Sequence, residues 1–115
     1  MFSAMEAVEL VGESYSTVHY WACQGIATAT IPAKGRGSER RYSFEDVVVL
    51  YAMSELSHWL DVETRKSIEP ALRKAALRRL VVRCRVSPLV EVSVNLGEIR
   101  EQLRHKTVKG KAAMQ

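Results

Sequence analysis

Residues 12–42 read GESYSTVHYWACQGIATATIPAKGRGSERRY, and the reading of this stretch decides how the remainder is arranged. Ser14 is suited to cap a helix over residues 15–23, because its hydroxyl can accept from the unpaired N–H groups of the first turn. At helical spacing Val18 and Trp21 point inward, which leaves Tyr15, Ser16, His19 and Tyr20 outside. Gly25 supplies a C-terminal stop. Two strands are then expected, ATATIPA over residues 27–33 and ERRY over 39–42, joined by a Gly-rich basic tip over 34–38. Thr28, Thr30 and Ile31 favour strand, Pro32 marks an edge strand, and Gly35 and Gly37 tolerate the positive φ values of a turn.

Upstream, residues 2–11 read as a short helix with Ser3 and Glu6 forming a capping box. Met5, Val8 and either Leu10 or Val11 give its inward face. Gly12-Glu13-Ser14 makes a tight turn, so the two short helices form a helix-turn-helix. Downstream, Tyr42 is expected to fold back onto the helices, and Ser43 opens a third helix with Asp46 as capping partner. Val47, Leu50, Tyr51, Met53, Leu56 and Leu60 form its apolar stripe, which ends near residues 58–61. A fourth helix is expected over residues 63–80, with Ile68, Leu72, Ala75, Ala76 and Leu80 inward. Pro70 either kinks that helix or marks a later start near Glu69.

Beyond Arg79 the period changes from helix to strand. Val82, Cys84 and Val86 alternate with Arg83 and Arg85, and Val90, Val92 and Val94 alternate with Glu91 and Ser93. A three-residue loop, Ser87-Pro88-Leu89, keeps the valines on one face and sets Arg85 against Glu91. Asn95 then caps a last short helix over residues 96–106, with Leu96, Ile99 and Leu103 at helical spacing, and residues 107–115 read as a frayed tail. The expected fold is mainly α with small β: a winged helix-turn-helix of two short helices, a β-hairpin wing and two further helices, followed by a C-terminal β-hairpin and short helix. The expected division is 1–80 for the winged domain, 81–106 for the extension and 107–115 for the tail.

The chain has 115 residues and a net charge of +4, unevenly placed. Residues 1–33 contain no Lys or Arg and three acids. Residues 34–42 hold Lys34, Arg36, Arg40 and Arg41 against Glu39, residues 43–63 are acidic, and residues 64–115 hold thirteen basic side chains against four acidic ones. A positive field concentrated on the hairpin and the second half is a footprint for nucleic acid. No apolar run reaches the roughly 20 residues of a membrane helix. The N-terminus lacks the basic and apolar regions of a secretory signal, so a cytoplasmic, nucleoid-associated protein is expected. Cys23 and Cys84 lie far apart and form no Cys/His cluster, so neither a disulfide nor a zinc site is expected. His19, His58 and His105 fit no triad or metal pattern. No enzyme activity, catalytic residue, metal or cofactor is expected.

A helix presenting small polar groups beside a hairpin presenting arginines is suited to double-stranded DNA, the helix meeting base edges and the hairpin the backbone. The residues also resemble a known family. Residues 2–60 resemble the winged helix-turn-helix of MerR-type regulators and of the excisionase-like proteins that share it. The matching pieces are Phe2-Ser-Ala-Met-Glu-Ala, Gly12-x-Ser14-x-x-Thr17-Val-His-Tyr20-Trp21, Gly25-Ile26, and Gly37-Ser-Glu-Arg40-Arg41-Tyr42-Ser-x-Glu-Asp46-Val. The resemblance implies that the helix over residues 15–23 enters the major groove and that residues 34–41 lie on the backbone. The implied DNA contacts are Tyr15, Ser16, Thr17, His19 and Tyr20 on the helix, and Lys34, Arg36, Arg40 and Arg41 on the wing. The sequence departs from the family at His19, where Arg is usual, and at Ala22, where Glu is frequent. The helix therefore lacks the Arg or Lys that makes the commonest bidentate contact to guanine. With the last helix read as short, the family's long dimerising helix is not expected here.

The leading expectation is a small transcriptional regulator or architectural factor that binds double-stranded DNA as a homodimer or a cooperative array. A second reading makes it an antitoxin-type protein whose extension captures a partner such as a toxin. A third is a recombination directionality factor that works with an integrase. Trp21 and Tyr42 are expected in the core, and Trp59 either there or on a partner surface. Arg65 and Lys66 open a helix where cations are unfavourable, which either a DNA phosphate or chance placement would explain. Arg73, Lys74, Arg78 and Arg79 read as a solvated face.

Overall fold

The structure, a computed structural model, describes residues 1–31, 40–78 and 80–113, the last six of these as backbone alone. Strand β1 (Phe2–Ser3) leads into α1 (Ala4–Val11) and α2 (Tyr15–Gln24). Strand β2 (Arg41–Tyr42), α3 (Phe44–Leu56) and α4 (Val62–Arg78) follow. The chain ends with β3 (Val81–Arg85), β4 (Glu91–Asn95) and α5 (Leu96–Ala113). The mainly helical winged helix-turn-helix with a C-terminal hairpin and helix is the architecture that the sequence reading expects.

Local signals set the helix boundaries. The hydroxyls of Ser3, Ser14 and Ser43 each accept from the third residue of the helix that follows. Gly12 and Gly25 close α1 and α2 at φ 80° and 76°, in the left-handed region that costs glycine no Cβ clash. Ala4, Ala7, Val8 and Val11 form the inward face of α1. Met5, expected inward, is 58% exposed, because the buried arc is set by the 4, 7, 8, 11 spacing that excludes it. The helix also begins later than expected. The cap residue Ser3 is extended, at φ −72° and ψ 168°, so the residues at its N-terminal side are free to form β1. That strand pairs antiparallel with β2, Phe2 opposite Tyr42 and Ser3 opposite Arg41.

Helix α3 is the axis of the core. Its expected stripe understates it: Val48, Val49 and Ala52 are as buried as Val47, Leu50 and Met53. An α-helix apolar on most sides needs cover on most sides. Helices α1, α4 and α5 all pack against it. Leu96 and Leu103 of α5 are fully buried in the same cluster as Leu50 and Leu72, so the extension shares the core. Around them, Arg100 donates to Glu45 Oε1 at 3.1 Å and stacks over Phe44, and Lys106 donates to the Leu10 carbonyl at 3.3 Å.

Helix α4 runs through Pro70 without a break, which removes the later start as an alternative. Asp61 caps it, accepting from the Thr64 N–H at 2.8 Å. The C-terminal hairpin has the expected register, with Val82 opposite Val94, Cys84 opposite Val92 and Arg85 opposite Glu91. Helix α5 extends to Ala113, past the expected end at residue 106. Residues 107–113 contain no proline, and one glycine inside a helix costs only about 1 kcal/mol relative to alanine.

Candidate nucleic-acid interface

The exposed arc of α2 follows from its periodicity. Val18 and Trp21 bury one side, and Tyr15, Ser16, His19, Tyr20 and Cys23 fall on the opposite side, all exposed. Thr17 lies on the flank and is half-buried. Its hydroxyl accepts from Ser14 Oγ at 2.8 Å, so it serves the cap. The inward side is held by Arg65, for which the sequence leaves open either a phosphate-facing role or a chance placement. Arg65 is instead buried, its guanidinium 5.1 Å from the Trp21 ring centroid and donating towards the carbonyls of Asp61 and Met53. Burial pulls its pKa below the ordinary arginine value. The turn between α1 and α2 is tied down as well, since Ser54 Oγ donates to Glu13 Oε1 at 2.5 Å.

The second element of the site is the base of the wing. Ile31 and Arg41 exchange both backbone hydrogen bonds, at 3.1 and 2.8 Å. Residues 27–30, expected as strand, are not strand. The Thr30 N–H donates to Asp46 Oδ2 at 2.8 Å, and the Thr28 carbonyl accepts from Arg73 Nη2 at 2.9 Å. These bonds tie the segment before the wing to α3 and α4. Residues 32–39, with Lys34 and Arg36, lie outside the described residues.

Sequence reasoning missed the centre of this arrangement. Asp46 is 2% exposed. Its carboxylate accepts from Thr30 N–H, from Thr30 Oγ1 at 2.5 Å, from Ser43 N–H at 2.9 Å, and from Arg73 Nη1. Arg73, read as a solvated cation, also donates through Nε to Glu69 at 2.6 Å. Burial alone would raise the Asp46 carboxyl; the hydrogen bonds from Thr30, Ser43 and Arg73 outweigh it and hold the pKa below the usual carboxylate value. Both feet of the wing are thus pinned to α3 and α4 through one ion pair. The Glu69–Arg73 spacing of four was the one visible hint in the sequence.

The two elements meet directly. Arg40 Nη1 donates to His19 Nδ1 at 3.0 Å, and the His19 ring stacks on Tyr15 with centroids 6.2 Å apart. Because arginine can only donate, this bond places the His19 proton on Nε2, which lies 3.7 Å from Cys23 Sγ. The structure therefore gathers Tyr15, His19 and Arg40 on one face, with Ser16 and Tyr20 beside them on α2. Arg41 is exposed on β2. No group of three metal-ligating side chains occurs among the described residues. No described helix is long and apolar enough to cross a membrane.

Two short helices set by a glycine turn, with an arginine-bearing wing held against the second, define a winged helix-turn-helix of the DNA-binding class. The family model of the MerR helix-turn-helix regulatory proteins matches residues 2–67, more than half of the chain. The chain belongs to that family and is a DNA-binding regulator of transcription. No curated protein matched the chain.

Proposed function

We propose that α2 enters the major groove with Tyr15, Ser16, His19 and Tyr20 toward the base edges, while Arg40 and Arg41 hold the backbone with Lys34 and Arg36. The observation that carries this reading is the Arg40–His19 hydrogen bond, which couples the wing to the exposed arc of α2. With no Lys or Arg on α2, base contacts come from hydroxyls, a neutral imidazole and tyrosine rings. Thr17, on the flank of that arc, accepts from Ser14 and keeps its O–H to donate to DNA. Affinity then falls mainly to the wing, and one such module buries a small interface, so the protein acts as a homodimer on paired half-sites. No described feature favours the toxin-partner or recombination readings over this one.

Fluorescence anisotropy on a selected duplex tests it. Replacing both Arg40 and Arg41 by Ala should weaken binding and flatten the log Kd against log salt slope by about 1 to 2. Equal affinity and slope in the double variant would overturn the assignment of the wing.

A further inference from the structure

We propose that His19 is a specificity-determining residue whose Nε2–H donates to N7 of a guanine in the major groove, and that Arg40 is the positioning residue that holds the ring for that contact. The inference rests on the DNA-binding reading above and adds to it a hydrogen-bond direction and a base. Arg40 Nη1 lies 3.0 Å from His19 Nδ1, although the two residues stand 21 positions apart in the chain. A guanidinium nitrogen cannot accept, so Nδ1 is the acceptor and the ring proton of the neutral imidazole sits on Nε2. The Tyr15 ring stacks on the imidazole with centroids 6.2 Å apart and planes at 15°. The imidazole is thus held at one edge from the wing and on one face from the first residue of α2.

The neighbouring hydroxyls on the exposed arc carry no fixed sign. Those of Tyr15, Ser16 and Tyr20 donate or accept according to how the O–H turns, so each tolerates a base donor as readily as a base acceptor. α2 has no Lys or Arg. His19 is therefore the nitrogen donor on this arc whose direction a neighbour has set. That donor also lacks a strong acceptor of its own. Beside Nε2 stands Cys23 Sγ at 3.7 Å, and sulfur accepts only weakly, so a base atom displaces it at little cost. Both purines show N7 in the major groove. At guanine N7 stands next to O6, a second acceptor, whereas at adenine it stands next to the N6 amino donor, which repels an incoming N–H. Guanine is the base that suits a lone donor. Arg40 spends one N–H on His19 and keeps others for a phosphate, so one side chain joins the wing's grip on the backbone to what the helix reads.

Fluorescence anisotropy of the full chain on a selected duplex, with 7-deazaguanine placed at one guanine at a time, tests this. Replacing N7 by C–H removes one acceptor and leaves base pairing intact. At one guanine of each half-site the replacement should weaken binding of the unaltered protein roughly three- to tenfold, the range of a single net hydrogen bond. His19→Leu should bind more weakly and lose that penalty. His19→Gln, whose amide nitrogen falls near the place of Nε2, should retain part of it. Arg40→Ala should bind more weakly and show a smaller penalty, whereas Arg41→Ala should bind more weakly with the penalty intact. A plain phosphate contact lowers affinity for both duplexes alike, so this difference isolates positioning. The inference is overturned if no guanine shows a penalty that depends on His19, or if the penalty survives undiminished in Arg40→Ala. A His19-dependent penalty from 7-deazaadenine and from no guanine would overturn the choice of base. Failure of the underlying reading looks different: the unmodified duplex itself would then bind with no dependence on salt or on the wing arginines.

Discussion

Ser3-Ala-Met-Glu6 and Ser43-Phe-Glu-Asp46 are written in the same local grammar, yet they do different work. Each is a capping box in which the serine hydroxyl accepts from the third residue and the acid reaches back to the serine N–H. The bond lengths barely differ: 3.2 and 3.0 Å at the first, 3.1 and 2.9 Å at the second. Glu6 remains exposed, whereas Asp46 is closed in and gathers Thr30 and Arg73 besides its own cap. The local motif fixes a helix start in both places. What encloses the acid decides whether it also fixes tertiary structure, and here it fixes where the wing begins.

The largest separation between the two boxes is expected from removing the acids. Asp46→Ala leaves Arg73 partly buried with Glu69 as its one remaining carboxylate and frees the Thr30 and Ser43 donors. Breaking a buried pair costs about 3–5 kcal/mol, and the partial exposure of Arg73 places this one near the lower end. A shift in Tm of roughly 10–20 °C follows for a domain of this size. Glu6→Ala should move Tm by a small fraction of that. Thermal unfolding of the two variants decides the matter, and equal shifts would dissolve the distinction between the boxes.

Acid sharpens the same contrast. Asp46 and Glu6 both have pKa values held below their ordinary ones, Asp46 by bonds from Thr30, Ser43 and Arg73 against burial, Glu6 chiefly by the Ser3 backbone and hydroxyl. A carboxylate lowered on folding adds stability above its unfolded pKa, near 4, and that stability is lost as pH falls through the folded value. Tm should therefore hold from pH 7 to about 5 and decline below about 4. Asp46→Asn should remove more of that decline than Glu6→Gln. An unchanged acid profile in Asp46→Asn would show that the decline belongs to other carboxylates, such as Asp61, which is also lowered by its Thr64 bonds.

The contrast also explains what the sequence could and could not disclose. Ser3, Ser14, Ser43, Gly12 and Gly25 act within one turn, so their roles were legible. The exposed arc of α2 and the register of the β3–β4 hairpin were legible for the same reason, since each follows from a period of a single element. Asp46 was legible as a cap and illegible as a knot. Thr30 lies 16 residues before it and Arg73 lies 27 after it, and no local pattern announces such meetings. Arg40 and His19, 21 residues apart, are another instance. Arg65 and Arg73 read as surface cations because sequence shows charge but not the ring or carboxylate that receives it. The strand β1 was hidden because two residues carry no period at all.

The smallest expected effect concerns Ser3 itself. Its hydroxyl satisfies one N–H of α1 in a setting open to water, and losing such a cap typically costs about 1 kcal/mol or less where water can substitute. Ser3 has a second role, because it pairs with Arg41 across β1 and β2, one residue from the wing's Arg40. That pairing uses the backbone, which alanine retains. Ser3→Ala should therefore lower Tm by only a few degrees and leave DNA affinity at the reference value once both proteins are folded. Ser3→Pro, which bars the residue from donating its N–H to Glu6, should cost more than Ser3→Ala. If Ser3→Ala instead weakened DNA binding as much as the Arg40, Arg41 double variant, the exposed box would be steering the wing through its side chain. The division of labour between the two boxes would then fail at its weaker member.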